Sequence, residues 1–244
     1  MKKLIVFILL FPILGFTQEK DESRILHMYE LEIKMNEREN FEKGMKKWKD
    51  CYLENSGKDN WNVWNRVQGA TGTVAVTFFM DKWAEMDEAP TGADTACQSI
   101  FQTDVFPYVV KMDHKMAESM PEFSKNPSSG NTVAWVRFFR TENWRDFKDV
   151  VKEVSSTYKE AKGEPLGYWY DFIGGDPDGP DYMVSMLHKN FAGLDEEWDS
   201  PWEIYEQKHG KDKTTKMQEK FRSSVEDTWT FVYKLNENLS NQSQ

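Results

Sequence analysis

Four histidines are the first candidates for catalysis or metal binding in this sequence of 244 residues. His27, His114, His188 and His209 are so widely scattered that their spacing indicates no metal cluster, and we predict no metal site. His188 directly follows the apolar segment 182–187, so it could lie at the mouth of an internal space as a proton carrier or a haem ligand. The alternative is a hydrogen-bonded histidine at the end of a strand.

Charged residues within apolar segments are the second group of candidates. Arg137 lies within the run from Val133 to Phe139, and Glu30 and Glu32 lie in the corresponding segment near the N-terminus. An ionised group that faces a core must be paired or must change its pKa. We therefore expect Arg137 to meet a carboxylate, where the pair either fixes an anionic ligand or only joins two parts of the fold.

Aromatic residues are abundant, with 10 Trp, 9 Tyr and 16 Phe making up 14% of the chain. Many of them fall in segments that we predict to be strands, where they could line a flat apolar pocket for an aromatic or isoprenoid molecule or a sugar. The alternative is that they fill a large core. The predicted ligand-binding residues are Trp61, Trp64, Trp135, Arg137, Tyr168, Trp169, Tyr182 and His188, with Tyr170 and Trp229 as further aromatic candidates.

Sequence motifs of common enzymes and cofactor sites are absent. The chain has no GxxxxGK[ST], GxGxxG, HExxH or GxSxG motif, so phosphate-loop, dinucleotide, zincin and serine-hydrolase chemistry lack support. The acidic segment 176–181 has three aspartates, but Leu187 stands where a calcium loop needs its closing glutamate. We predict an ordinary Asp/Gly/Pro turn there.

An internal repeat organises the elements that must position these residues. Segment 40–52 matches segment 146–158 at a constant spacing of 106, and 83–88 matches 191–196 at a spacing of 108. Each copy begins with a strand of alternating polarity, continues with an amphipathic helix and then has two strands joined by a turn. A helical region follows, predicted at about 82–116 and 191–225, and a last strand closes each copy, at 122–125 and 229–235.

Strand, helix, hairpin, helix, strand is the order of a ferredoxin-like β-α-β-β-α-β unit, which leaves one face of its antiparallel sheet uncovered. With two such units, the chain resembles the dimeric α/β-barrel superfamily in a tandem, single-chain form, and it shows no motif of an assigned branch. We therefore expect an α+β fold in which two antiparallel sheets pack face to face as a pseudo-dimeric barrel.

The predicted segments are a signal peptide at 1–17, an N-terminal lead at 18–24, repeat 1 at 25–126, a linker at 127–131, repeat 2 at 132–236 and a flexible tail at 237–244. The signal peptide rests on Lys2 and Lys3 followed by an apolar run that is too short to cross a membrane. It predicts a periplasmic or secreted protein with no membrane insertion after cleavage. Cys51 and Cys97 could then form a disulfide, the alternative being two buried thiols.

The net charge is −10, and removal of the two leader lysines would leave 29 basic and 41 acidic side chains, so a nucleic-acid partner is not expected. The resemblance implies a ligand cavity between the sheets, and known members include monooxygenases and haem proteins. We predict a protein that binds a small apolar or aromatic molecule, acts as a monomer and needs no cofactor. Two alternatives stay open: a cofactor-independent monooxygenase-like or haem-dependent enzyme that uses His188 and Arg137, and a non-catalytic protein-interaction module.

Overall fold

A computed structural model describes residues 22–70 and 72–242. The predicted signal peptide, 1–17, lies outside the described residues. The described part of the chain contains five α-helices, which are α1 (Arg38–Glu54), α2 (Gly92–Ile100), α3 (Trp144–Lys162), α4 (Pro201–His209) and α5 (Lys211–Ser224). It also contains eight strands, which are β1 (Ile25–Ile33), β2 (Asn62–Arg66), β3 (Thr73–Met80), β4 (Val109–Ser119), β5 (Val133–Thr141), β6 (Tyr168–Phe172), β7 (Tyr182–His188) and β8 (Val225–Leu235).

The eight strands form one closed antiparallel barrel in the order β1-β3-β2-β8-β5-β7-β6-β4. The expectation of two separate sheets that pack face to face is therefore wrong. The outer strands of the two halves pair edge to edge instead, β2 with β8 and β4 with β6. Unpaired strand edges leave backbone N–H and C=O groups without partners, and closure of the barrel supplies those partners. A single chain provides all eight strands.

The fourth strand is the second correction. The sequence predicted helix from about 82 to 116 and a weak strand at 122–125, whereas β4 occupies Val109–Ser119 and residues 121–123 form a single 3-10 turn. The sequence of β4 has the two-residue period of a strand, because apolar or aromatic residues alternate with Lys111, Asp113 and Lys115. These charges made the period hard to recognise. Pairing along nearly the whole of β1 holds this charged segment in the sheet.

Alternation along the strands divides the side chains between the barrel interior and the outer face. The interior core is formed by Leu26, Met28, Ala75, Ala134, Val136, Phe138, Met183 and Tyr233, with partly buried Trp64, Phe79, Tyr170, Phe172, Leu187, Trp229 and Phe231 around them. Aromatic rings therefore make up much of the lining of the interior, and several of them are only partly buried.

Helices cover the outer face through one buried stripe each. In α1 the buried side chains Phe41, Met45 and Tyr52 recur every three to seven residues and pack on the outer residues of β1, β2 and β3. The equivalent stripe of α3 packs over β5 and β7. Cys51 of α1 and Cys97 of α2 form a disulfide, which settles the question of their pairing. No helix in the described ranges is long and apolar enough to cross a membrane.

The segment after β8, predicted to be flexible, lies against the barrel up to residue 241. Leu239 and Ser240 are buried, and the Leu239 carbonyl accepts a hydrogen bond of 2.8 Å from Nε1 of Trp61. Asn241 forms a β-bridge with the backbone of Trp61. Trp61 is thereby fixed on the outside of the barrel.

Candidate functional site

The structure separates the predicted aromatic candidates into two groups. Trp64, Tyr170 and Trp229 belong to the interior cluster of the barrel. Tyr168 has the same inward register, but its hydroxyl bonds to Asn126 and Ser128 beyond the strands. The candidates that lie on the outer face, most of them under the helices, are Trp61, Trp135, Trp169 and Tyr182. Most of the predicted ligand-binding residues therefore do not share one cavity.

Arg137 lies on the outer face and is exposed. Its guanidinium stands 5.5 Å from the centre of the Trp135 ring, and its Nε donates to Oγ1 of Thr230 at 3.3 Å. The expected meeting with Glu30 or Glu32 does not form. The reason is strand parity, because β5 turns its even-numbered residues inward and Arg137 has an odd number.

His188 also faces outward, at the end of β7. Burial lowers the pKa of its imidazole, with a smaller opposing influence from Glu196 and from a hydrogen bond to the backbone of Gly193. Its Nε2 is buried and has no hydrogen-bond partner among the residues that the structure describes. His188 is thus a neutral histidine packed against a turn, on the opposite side of the β-wall from the barrel interior.

Four residues that project into the barrel form what we call the inner polar cluster: Glu30, Arg66, Lys115 and Tyr233. Nζ of Lys115 donates to Oε2 of Glu30 at 2.7 Å, and the Tyr233 hydroxyl donates to Oε1 of the same carboxylate at 3.1 Å. The Glu30 and Lys115 side chains are each only 18% exposed. Both oxygens of this enclosed carboxylate thus have hydrogen-bond partners, which offset the cost of its burial.

Arg66 completes the cluster at the end of β2. Its guanidinium lies 4.3 Å from the centre of the Phe231 ring and also interacts with the Tyr233 hydroxyl. One Nη donates weakly to the carbonyl of Ala70 at 3.4 Å, while the buried Nε has no hydrogen-bond partner among the described residues. Burial of an Arg N–H group without an acceptor costs free energy of folding. The cluster thus contains a hydrogen-bond donor that is not used.

Tyr233 connects the two halves of the barrel. Burial is the main cause that raises the pKa of its hydroxyl, and the negative charge of Glu30 adds to the increase, whereas Arg66 opposes it. The hydroxyl therefore stays protonated over the whole physiological range and serves as a hydrogen-bond donor. Nearby, Nε1 of Trp64 donates to Oγ1 of Thr77 at 3.1 Å, which fixes the indole ring beside the cluster.

The cluster occurs in only one half of the barrel. The strand registers give each inward position of β1 to β4 a counterpart in β5 to β8. In place of Glu30, Lys115 and Arg66 the second half has Phe138, Phe231 and Phe172. Since phenylalanine fills these positions in the second half, the fold does not demand charges there. Three partly buried charges at positions that hold phenylalanine in the second half make this cluster the candidate functional site.

Only part of this cluster could be predicted from the sequence. Glu30 was a candidate, but its expected partner was Arg137 and not Lys115, and Lys115 was predicted to lie in a helix. Arg66 and Tyr233 were not predicted as site residues, although each faces inward from a strand that the sequence correctly predicted. The usable signal was a charged residue on the apolar face of a strand, which Arg66 and Lys115 share with Glu30.

The residues present do not fit a haem group, the cofactor that the resemblance suggested for one alternative function. None of the four histidines lies in the barrel interior: His27 and His114 bond to each other on the outer face at 3.0 Å, His188 packs against its turn, and His209 of α4 contacts Thr157. Within the ranges that the structure describes, no three His, Cys, Asp or Glu side chains are grouped so that they could hold a metal ion. We assign no step to a haem group.

Comparison with known proteins supports the fold. No protein-family model matches the sequence, and a search of curated proteins also gives no match. Among solved structures, a putative monooxygenase from Lactobacillus acidophilus is 13% identical, with a TM-score of 0.53 over 91% of this chain and all of that one. A putative monooxygenase from Fusobacterium nucleatum is 11% identical, with a TM-score of 0.51 over 92% of this chain and all of that one.

Chlorite dismutase from Candidatus Nitrospira defluvii is 8% identical, with a TM-score of 0.53 over 88% of this chain and 92% of that one. At these identities the likeness concerns the fold alone. The chain therefore shares its overall fold with these three proteins, and membership of the dimeric α/β-barrel superfamily stays a prediction. The tandem duplication stays a prediction.

Proposed function

We propose that this protein is a monooxygenase-like barrel protein that binds a small aromatic molecule at the inner polar cluster and oxidises it without a cofactor. The observation that carries the proposal is the cluster itself, in which Glu30, Lys115 and Tyr233 are joined by hydrogen bonds among aromatic rings. Similarity of fold to two proteins described as monooxygenases supports the reaction class by analogy.

The chemistry places clear demands on such a site. Oxidation without a cofactor requires a substrate that can itself supply all four electrons that reduce dioxygen, for example a phenol that takes up one oxygen atom to become a quinone while the other oxygen atom leaves as water. The site must hold the ring, take up the phenolic proton and exclude bulk water. Glu30 is the proton acceptor that the geometry offers, and the Tyr233 hydroxyl connects it to the aromatic interior.

Two features support action in an oxidising compartment, which we propose is the periplasm or the extracellular space. The first 17 residues have the charge and apolar order of a secretory signal. The disulfide between Cys51 and Cys97 is a bond that persists in exported proteins and is rare in the cytosol. We further propose that the mature protein works as a monomer.

The test begins with the full chain, leader included, expressed in a bacterium that exports proteins. Mass spectrometry of the purified protein should show cleavage near residue 17 and no free thiol. A panel of phenols and hydroquinones is then offered in air while an electrode records oxygen consumption. We expect consumption with at least one member, and its loss in Glu30→Gln, while the exposed helix variant Glu54→Gln keeps the full rate.

The results separate the parts of the proposal. Oxygen uptake that persists in Glu30→Gln would remove the inner polar cluster from the reaction. Absence of both uptake and ligand binding across the panel would overturn the enzyme and the binding proposals together. Addition of hemin should give no Soret band that depends on His188, and a band lost in His188→Ala would show that the assignment without haem is wrong.

A further inference from the structure

The charges of the inner polar cluster do not balance. Within the enclosed part of the barrel, Lys115 and Arg66 carry positive charge, and Glu30 is the only carboxylate that contacts either of them among the described residues. Three other acids have the inward register, but all lie toward solvent: Glu32 and Asp227 are exposed, and Asp113 pairs with Lys111. The enclosed region therefore has one cation in excess, although the protein as a whole is strongly acidic.

Arg66 is the cation that has no counter-ion within the part of the chain that the structure describes. Lys115 is paired with Glu30, whereas among the described residues Arg66 contacts only neutral oxygens and the face of the Phe231 ring. Its buried Nε still has an N–H to donate. An ionised oxygen of a ligand is the group that satisfies both needs at once, because it supplies a charge and an acceptor to the planar guanidinium.

The neighbours of Arg66 indicate what the rest of the ligand resembles. The guanidinium lies on Phe231, and the Tyr233 hydroxyl is within its reach. Trp229 and Phe138, stacked with ring centres 5.7 Å apart, continue the aromatic surface from Phe231 into the second half of the barrel. A planar ring that extends from the ionised oxygen in that direction would lie along the rings of Phe231, Phe138 and Trp229.

We infer that the site selects an aromatic anion, a carboxylate or phenolate, whose ionised oxygen binds Arg66 beside Tyr233 and whose ring packs along Phe231 toward Phe138 and Trp229. This inference rests on the proposed function, since it names the class of molecule that the same site takes. The asymmetry of the barrel then has a purpose: the charged half fixes the oxygen, and the half with three phenylalanines holds the ring.

The experiment compares two probes of nearly equal shape, 2-naphthoate and 2-naphthamide, by isothermal titration calorimetry with the exported, oxidised protein. One charge-assisted hydrogen bond in place of a neutral one corresponds to a preference of about tenfold for 2-naphthoate. Arg66→Met should abolish this preference, and Arg66→Lys should retain part of it. Arg137→Met is the matched control, because Arg137 also lies over an aromatic ring but on the outer face.

The outcomes are distinct. Equal affinities of the wild-type protein for the two probes would refute selection of an anion and leave an aromatic-binding site in place. A preference that Arg137→Met removes and Arg66→Met preserves would place anion recognition elsewhere. If neither probe nor any neutral aromatic compound binds, the proposed function itself fails. The comparison of probes needs no variant, so it decides the question even if Arg66→Met does not fold.

Discussion

Replacing Lys115 by methionine, alone and together with Glu30→Met, measures what the enclosed ion pair does for stability. The Nζ–Oε2 distance is 2.7 Å, and each side chain is 18% exposed. Two unit charges about 3 Å apart attract by roughly 5 kcal/mol at an effective dielectric constant of about 20, and desolvation offsets much of this. The single replacement leaves Glu30 with a hydrogen bond from Tyr233 but without its counter-ion.

Removal of one partner from a fully buried pair costs about 3–5 kcal/mol, and because some water reaches this pair we expect about 2–3 kcal/mol for Lys115→Met. For a chain of this size the loss corresponds to a melting temperature lower by roughly 5–10 °C. The double replacement should cost less than the single one, because two methionines are compatible with an interior whose second half has phenylalanine at the same positions.

Urea unfolding of the wild-type protein, the single variants Lys115→Met and Glu30→Met, and the double variant gives the coupling energy of the pair, which we expect to be about 2 kcal/mol. The control is Lys46→Met, which breaks an exposed i,i+4 pair with Asp50 on α1 and should change stability by no more than about 0.5 kcal/mol. If the double replacement costs the sum of the single ones, the charges are not coupled in a low-dielectric interior. The inner polar cluster would then be an ordinary solvated rim.

Three further predictions concern other parts of the chain. The disulfide closes a loop of 46 residues, so its reduction should lower the free energy of unfolding by about 4 kcal/mol through the entropy of the unfolded chain. Dithiothreitol should therefore lower the melting temperature, and an unchanged melting temperature would contradict this. Burial lowers the pKa of His27 and of His114, and the His114 charge lowers the pKa of His27 further. The folded protein therefore binds fewer protons than the unfolded chain, so stability that is present above about pH 6.5 should be lost as the pH falls. Urea midpoints at pH 7.5 and 5.5 test this, and His27→Gln should reduce the difference between them. Gly44→Ala should destabilise the protein by more than 2 kcal/mol despite the better helix propensity of alanine, because the new Cβ would lie 1.8 Å from the Asp104 carbonyl oxygen. The control is Gly92→Ala, whose Cβ meets no atom within 4 Å and should be tolerated. Equal melting temperatures for the two variants would refute the clash.

The site illustrates which features local sequence can reveal. Glu30 was recognisable because a charge on the apolar face of a strand is unusual wherever it occurs. Its partners were not recognisable, because Lys115 lies 85 residues away and Tyr233 lies 203 residues away. Alternation shows which residues share a face of a strand, but the closure of the barrel decides which face becomes the interior. His188 and Arg137 were selected for their chemistry, and the parity of their strands placed both outside.

The sequence alone determined most of the order of strands and helices, the buried stripes of α1 and α3 and the abundance of aromatic rings, because each depends on the periodicity of a few neighbouring residues. The tertiary structure decided that the two halves join at their edges into one barrel, that Val109–Ser119 is a strand and that three charges meet around Tyr233. These features depend on hydrogen bonds between residues far apart in the chain, whose partners no local pattern specifies.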